Sequence, residues 1–261
     1  MPNAPAAPRP EGRPVYLSGD VHLGAVSAER ERAFLRWLEH AGATADQVIL
    51  NGDLFDFWFE YRSVIPRGHT RALGALAALV DAGVPVTLMG GNHDWWGGSY
   101  LEEEIGVTFL REPEQGRLAG RNVYLAHGDG LGRGDLGYRA LKLLLRGRVT
   151  RWAFRWIHPD LGAGVARRVS KTEERGLTRD EKARSAALHA WGVSKLRSEP
   201  GIDLVILGHT HIPVLEEVDP GRWYVNAGDW VLHHSYLVLE HGRPPRLAEW
   251  EVSAPAGQPP R

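Results

Sequence analysis

Five short segments of the chain carry side chains of the types able to bind divalent cations: Gly19-Asp20-Val21-His22, Asn51-Gly52-Asp53, Gly91-Asn92-His93-Asp94, His127-Gly128-Asp129 and Gly208-His209-Thr210-His211. Taken singly, each is weak. An Asp-x-His pair is more often a turn with a solvated imidazole, Gly-Asp after a strand is ordinary turn chemistry, and Asn-His-Asp serves equally well as a helix cap. Together they supply seven candidate ligands, Asp20, His22, Asp53, Asn92, His127, His209 and His211, all oxygen or imidazole donors. That number fills two sites if one carboxylate bridges, and Asp53, from the central Gly-Asp turn, is the expected bridge. Two ions about 3.5–4 Å apart suit in-line displacement at phosphorus, because they hold the attacking oxygen and a phosphoryl oxygen together. Four imidazoles among the ligands disfavour magnesium and point to manganese, iron or zinc. The chain has no cysteine, which excludes disulfides, thiol catalysis and thiolate metal sites.

His93 and Asp94 are the candidate catalytic residues. His93 follows Asn92 directly, so its imidazole can reach the scissile phosphate without holding metal, to stabilise the phosphorane oxygen or to protonate the leaving group. Asp94 or Asp56 is expected to hold its tautomer. No serine stands in a nucleophile-elbow context, so no covalent intermediate is expected.

The elements that must position these residues show as an alternation of patterns. The runs Val15–Ser18, Gln47–Leu50, Val84–Met89, Asn122–Ala126 and Asp203–Leu207 have strand length and β-branched content, and each stops at one of the five clusters. Phe34, Leu35 and Leu38 predict a helix over Ala28–Ala41, and Leu73, Leu76, Leu79 and Val80 predict another over Arg71–Ala82. Alternating strands and helices imply an α/β fold with its ligands beyond the carboxyl ends of the strands, expected along one edge of one sheet.

Charge is balanced overall, with 31 Lys and Arg against 32 Asp and Glu, but residues 131–200 hold 16 basic and 7 acidic side chains. A basic module on an acidic body suits phosphates or an anionic membrane. This stretch has no strand-like run and is too long for a simple connection, so a helical lid is expected. Tyr138, Leu141, Leu144 and Leu145 lie at helical spacing, and Arg148, Arg151, Trp152, Arg155, Trp156, Arg167 and Arg168 interleave cation with aromatic ring. Such a surface fits an amphiphilic substrate and a membrane interface. It also fits single-stranded nucleic acid, but the apolar content of Leu143–Leu145 and Trp152–Ile157 exceeds what base stacking needs. The expected organisation is a flexible leader at 1–14, a core at 15–130 and 201–252, a lid at 131–200 and a flexible tail at 253–261. With no signal-like or membrane-spanning run, a cytoplasmic protein is expected.

With these residues in place, the chain resembles the calcineurin-like metallophosphoesterase superfamily, through Asp20-x-His22, Gly52-Asp53-x-x-Asp56, Gly91-Asn92-His93-Asp94, His127 and Gly208-His209-Thr210-His211, over about Val15 to Asp229. The resemblance implies a four-layer α/β/β/α sandwich with the helical lid inserted. It implies one ion on Asp20, His22, Asp53 and His211 and another on Asp53, Asn92, His127 and His209. After His127, Tyr138 and Arg167-x-x-Ser170 are similar to the UDP-2,3-diacylglucosamine hydrolase branch of lipid A synthesis. That likeness implies substrate binding by Tyr138, Arg167 and Ser170 together with Asn92 and His93. It also implies two ions, usually manganese, and cleavage of the pyrophosphate to UMP and diacylglucosamine 1-phosphate. The location it implies is the inner face of the inner membrane. The best-known form of the branch carries Arg where His93 stands, and Thr172-Glu-Glu174 replaces basic residues after the lid serine. A broad phosphodiesterase or nucleotide pyrophosphatase, a nuclease and a non-catalytic scaffold are the competing readings, the last disfavoured by the intact ligand set. Asn226 and Asp229 resemble the turn closing the family's site, whereas His233 and His234 read as structural.

Overall fold

The computed structural model describes residues 12–132, 142–162, 164 and 179–252. A six-stranded sheet has the order β11-β10-β1-β2-β3-β4, from β1 (Val15–Ser18), β2 (Gln47–Asn51), β3 (Val86–Met89), β4 (Thr108–Leu110), β10 (Ser235–Leu239) and β11 (Arg246–Glu249). A five-stranded sheet has the order β5-β6-β7-β9-β8, from β5 (Glu114–Leu118), β6 (Arg121–Leu125), β7 (Leu204–Leu207), β8 (Val214–Asp219) and β9 (Arg222–Asn226). Strands β1 to β4 run parallel, as do β6, β7 and β9, while antiparallel strands close the edges. The five ligand-bearing strands therefore belong to two sheets, which corrects the expectation of a single sheet edge.

Side-chain alternation stacks the layers. Along β1, Tyr16 faces the helices α1 (Ala28–Thr44) and α2 (Thr70–Asp81), while Val15 and Leu17 face the second sheet. The same holds for Val48 and Leu50 against Ile49 in β2. In the second sheet, Leu204 and Ile206 meet the first sheet, while Val205 and Leu207 pack on Leu188 and Leu196 of α4 (Arg179–Ser198). Both faces of the central strands are buried, which is why they read as continuous apolar runs. The order is helices, sheet, sheet, helix: the four-layer α/β/β/α sandwich.

Helix α1 begins at Ser27, whose hydroxyl accepts from the Arg30 N–H, and buries Phe34, Trp37 and Leu38. His69, just before α2, is buried with its ring 4.8 Å from Phe55 and 6.0 Å from Trp58, and burial lowers its pKa to about 4. Between its ordinary pKa of 6.5 and about 4, only the unfolded chain takes up the proton, so stability falls as pH drops through that window. The loss levels off near about 3 kcal/mol. Denaturant midpoints measured from pH 7 to 4 should show that decline shrink in His69→Gln; an unchanged slope would remove His69 as a cause.

The stretch at 131–200 contributes α3 (Arg148–Phe154) and α4. Phe154 of α3 packs among Phe57, Phe59, Tyr61 and Trp96, which fixes this helix to the body beside the ligand turns. Helix α4 is the outer layer of the second sheet. Tyr138, Arg167 and Ser170 lie outside the described residues.

Candidate metal centre

The two sheets place their carboxyl ends together. There Asp20, His22, Asp53, His209 and His211 all adopt left-handed backbone, with φ of 50°, 52°, 51°, 67° and 62°. Each costs a non-glycine residue on the order of 1–3 kcal/mol and persists only where surrounding structure imposes it. Cross-strand hydrogen bonds impose it here: the Asp20 N–H donates to the Gly52 carbonyl and the His22 N–H to the Asp53 carbonyl, both at 2.9 Å. The glycines of the motifs are there for space. A Cβ on Gly91 would lie 2.1 Å from Asp53 Oδ1, and one on Gly52 2.3 Å from His127 Nδ1.

These turns bring all seven candidate ligands together, in clusters of Asp20, His22 and His211 and of Asp53, His127 and His209. Asn92 joins the second, its Oδ1 3.2 Å from His127 Nε2. Asp53 Oδ2 lies 3.3 Å from His127 Nε2 and 4.0 Å from His22 Nε2, so one carboxylate faces both clusters. His22 Nε2 and His211 Nε2 stand 3.3 Å apart, and Asp20 Oδ1 is buried with no hydrogen-bond partner among the described residues. Lone pairs converging with too few protons between them fit divalent cations.

The remaining ring nitrogens are held from behind. His127 Nδ1 meets the Asn51 carbonyl at 2.8 Å, and His211 Nδ1 meets Asp229 Oδ2 at 3.1 Å. Such contacts leave Nε2 facing inward, as metal-bound imidazoles require. Asp229 also receives the His233 Nδ1 contact at 3.0 Å and the His233 N–H at 2.9 Å. His233, read as structural from the sequence, thus helps to hold the carboxylate behind His211. Its spacing of four from Asp229 was the only local signal.

Electrostatics fit the same reading. Burial alone would lower His127 and His211, but Asp53 and Asp20 outweigh it for His127, and Asp20 and Asp229 for His211, raising them to about 10 and about 9. His209 is pushed down to about 3 by burial and the neighbouring His127 charge. Burial raises Asp20. Asp53, which burial would also raise, is held well below its usual range, chiefly by His127 and His93. Without ions, protons on His127 and His211 balance the carboxylates; ions must displace those protons, so ion binding strengthens as pH rises.

His93 also lies within ligand distance of His22 and Asp53, beyond its expected role away from metal. Its Nδ1 meets the Asp56 backbone carbonyl at 2.7 Å, and the Asp56 carboxylate stands 3.8 Å away. Asp94 is placed differently: fully buried, it accepts backbone N–H groups of Gly91 at 2.8 Å and Leu54 at 2.7 Å, and the more distant ones of Asp53 and Phe55. It braces the Asp53 turn against the Asn92 turn, and the Asp56 carbonyl is what holds the His93 tautomer.

Residues 13–213 match the calcineurin-like phosphoesterase family, and the chain belongs to it. It is accordingly a phosphoesterase, a hydrolase of a class that works with divalent metal ions. The chain is 32% identical over 245 residues to a UDP-2,3-diacylglucosamine hydrolase of Porphyromonas gingivalis, covering 87% of this chain and 94% of that protein. It is also 32% identical over 232 residues to the protein of the same name from Aeromonas salmonicida, covering 85% and 88%. Among solved structures, a hypothetical protein of Pyrococcus horikoshii aligns over 91% of this chain and 88% of its own, at 11% identity and a TM-score of 0.46, too distant a likeness to carry an argument.

Proposed function

We propose that the protein hydrolyses the pyrophosphate of UDP-2,3-diacylglucosamine, giving UMP and 2,3-diacylglucosamine 1-phosphate, with two manganese ions, at the inner face of the inner membrane. One observation carries the reading: the phosphate-handling centre adjoins an insertion whose Leu143, Leu144, Val149, Trp152, Trp156 and Leu161 are exposed. A water-soluble diester would not call for that surface, whereas a nucleotide bearing acyl chains would. The relatives' shared name points the same way. No helix of the described residues is long and apolar enough to cross a membrane.

Asp20, His22, Asp53 and His211 would hold one ion and Asp53, Asn92, His127 and His209 the other. When bound, the ions supply Lewis-acid stabilisation of phosphoryl charge and lower the pKa of water. Asp53 fixes the spacing of the two ligand groups, and its Oδ1 accepts the His93 N–H at 2.9 Å, which ties the catalytic imidazole to the bridge. In the ion-free centre burial would lower the His93 pKa, but Asp53 and Asp56 outweigh it and raise it. With Nδ1 engaged by the Asp56 carbonyl, Nε2 is left for a phosphoryl oxygen or the leaving group.

Turnover of UDP-2,3-diacylglucosamine and of bis-p-nitrophenyl phosphate by the manganese-loaded enzyme tests the reading. A few buried methylenes at about 0.8 kcal/mol each suffice for a preference of about 100-fold or more in kcat/KM. Equal efficiency on the two, or better cleavage of an oligonucleotide, would overturn the substrate.

A further inference from the structure

The insertion and the second ligand cluster meet at Arg146. Its guanidinium donates to Asp129 Oδ2 at 2.9 Å, lies 3.5 Å from the Gly91 carbonyl and sits 4.6 Å from the centre of the Trp95 ring. Lys142 reaches the same carboxylate at 2.8 Å, and the neighbouring Leu145 carbonyl accepts from Trp96 Nε1 at 3.1 Å. Gly91 immediately precedes Asn92, and Asp129 follows His127 by two residues. Asn92 and His127 come from the ends of β3 and β6, in different sheets, yet their side chains stand 3.2 Å apart. A single side chain of the insertion therefore spans the two turns that must stay in register for one ion. These contacts anchor Arg146 at the turns that carry Asn92 and His127.

We propose that Arg146 is a positioning residue for the ion held by Asp53, Asn92, His127 and His209, so that this ion's affinity depends on the seating of the insertion. The inference rests on the two-ion reading above but not on the substrate. Arg146→Gln is the informative change, because Lys142 remains on Asp129 and the buried carboxylate keeps a cation while the link to Gly91 and Trp95 is lost.

Titration of the metal-free full-length protein with Mn²⁺, following free Mn²⁺ by electron paramagnetic resonance, reads each class of site without turnover. One class should weaken about ten-fold in Arg146→Gln, the scale seen for groups that support metal ligands, with the other unchanged. Arg146→Lys, which keeps charge near Asp129 but not the planar fork, should show the same selective weakening to a smaller degree, and it carries the test if the Gln variant does not fold. Unchanged affinities, or equal weakening of both classes, would overturn the proposal. Wild-type protein that binds fewer than two ions would overturn the two-ion reading and this inference with it. Failure on UDP-2,3-diacylglucosamine alone would leave the Mn²⁺ result intact.

Discussion

In Asp53→Ala, turnover should fall by about 10³ or more, and protein loaded with manganese should retain one ion or none where the wild type is expected to hold two. The reason is geometric. Asp53 Oδ2 is the carboxylate oxygen that faces His127 in one cluster and His22 in the other, at 3.3 and 4.0 Å. Alanine removes a shared ligand, so both clusters lose charge and the spacing between them at once. Metal-ion stabilisation of phosphoryl charge is worth several kcal/mol, and each 1.36 kcal/mol is a factor of ten in rate. The loss of Oδ1 also frees the His93 backbone N–H that it accepts at 2.9 Å, adding displacement of the His93 imidazole to the loss of metal. Asp53→Asn separates the two effects, because its amide oxygen can keep the contact to His93 while the charge is gone. Activity within tenfold of wild type in Asp53→Ala, with two ions still bound by elemental analysis, would rule out the bridge.

The sequence exposed this centre because each ligand turn follows an apolar strand, the first ligand coming directly after a glycine in four of the five turns and His127 directly before one, and strand, glycine and ligand are local features. Gly52 and Gly91 show why the glycines stand there, since a Cβ on either would collide with His127 or Asp53. What the sequence did not show was long-range. Leu17 and Leu204 look like any buried strand residues, and nothing local says that they share one core between two sheets. Of the edge strands, β5 is exposed and β8 half-buried, both carry charged residues, and they are strands because β6 and β9 pair with them. Asp94 stands beside His93 in sequence and invites a catalytic role, yet its oxygens go to backbone amides of the neighbouring turns. Arg146 carries no motif at all: its place between Asp129 and Trp95 exists only once the insertion has docked. Residues whose role is to ligate leave a pattern, whereas residues whose role is to hold ligating turns together leave almost none.

On a diester with an alkoxide leaving group, His93→Gln should lower kcat by roughly 10² to 10⁴, the range for a lost general acid, with both ions retained. Nδ1 is engaged by the Asp56 carbonyl at 2.7 Å, so Nε2 is the nitrogen able to exchange a proton with substrate. Glutamine preserves a hydrogen-bond donor of similar reach but cannot release a proton. The size of the loss on different leaving groups therefore separates the two roles: p-nitrophenolate needs little help and should lose least, whereas an alkoxide leaving group should lose most. A loss that does not vary with leaving group would assign His93 to stabilising the phosphoryl oxygens. The rival role is ligation, because His93 also lies within ligand distance of His22 and Asp53. If His93→Gln releases an ion, and excess Mn²⁺ restores kcat, the imidazole belongs to the metal and not to the proton transfer.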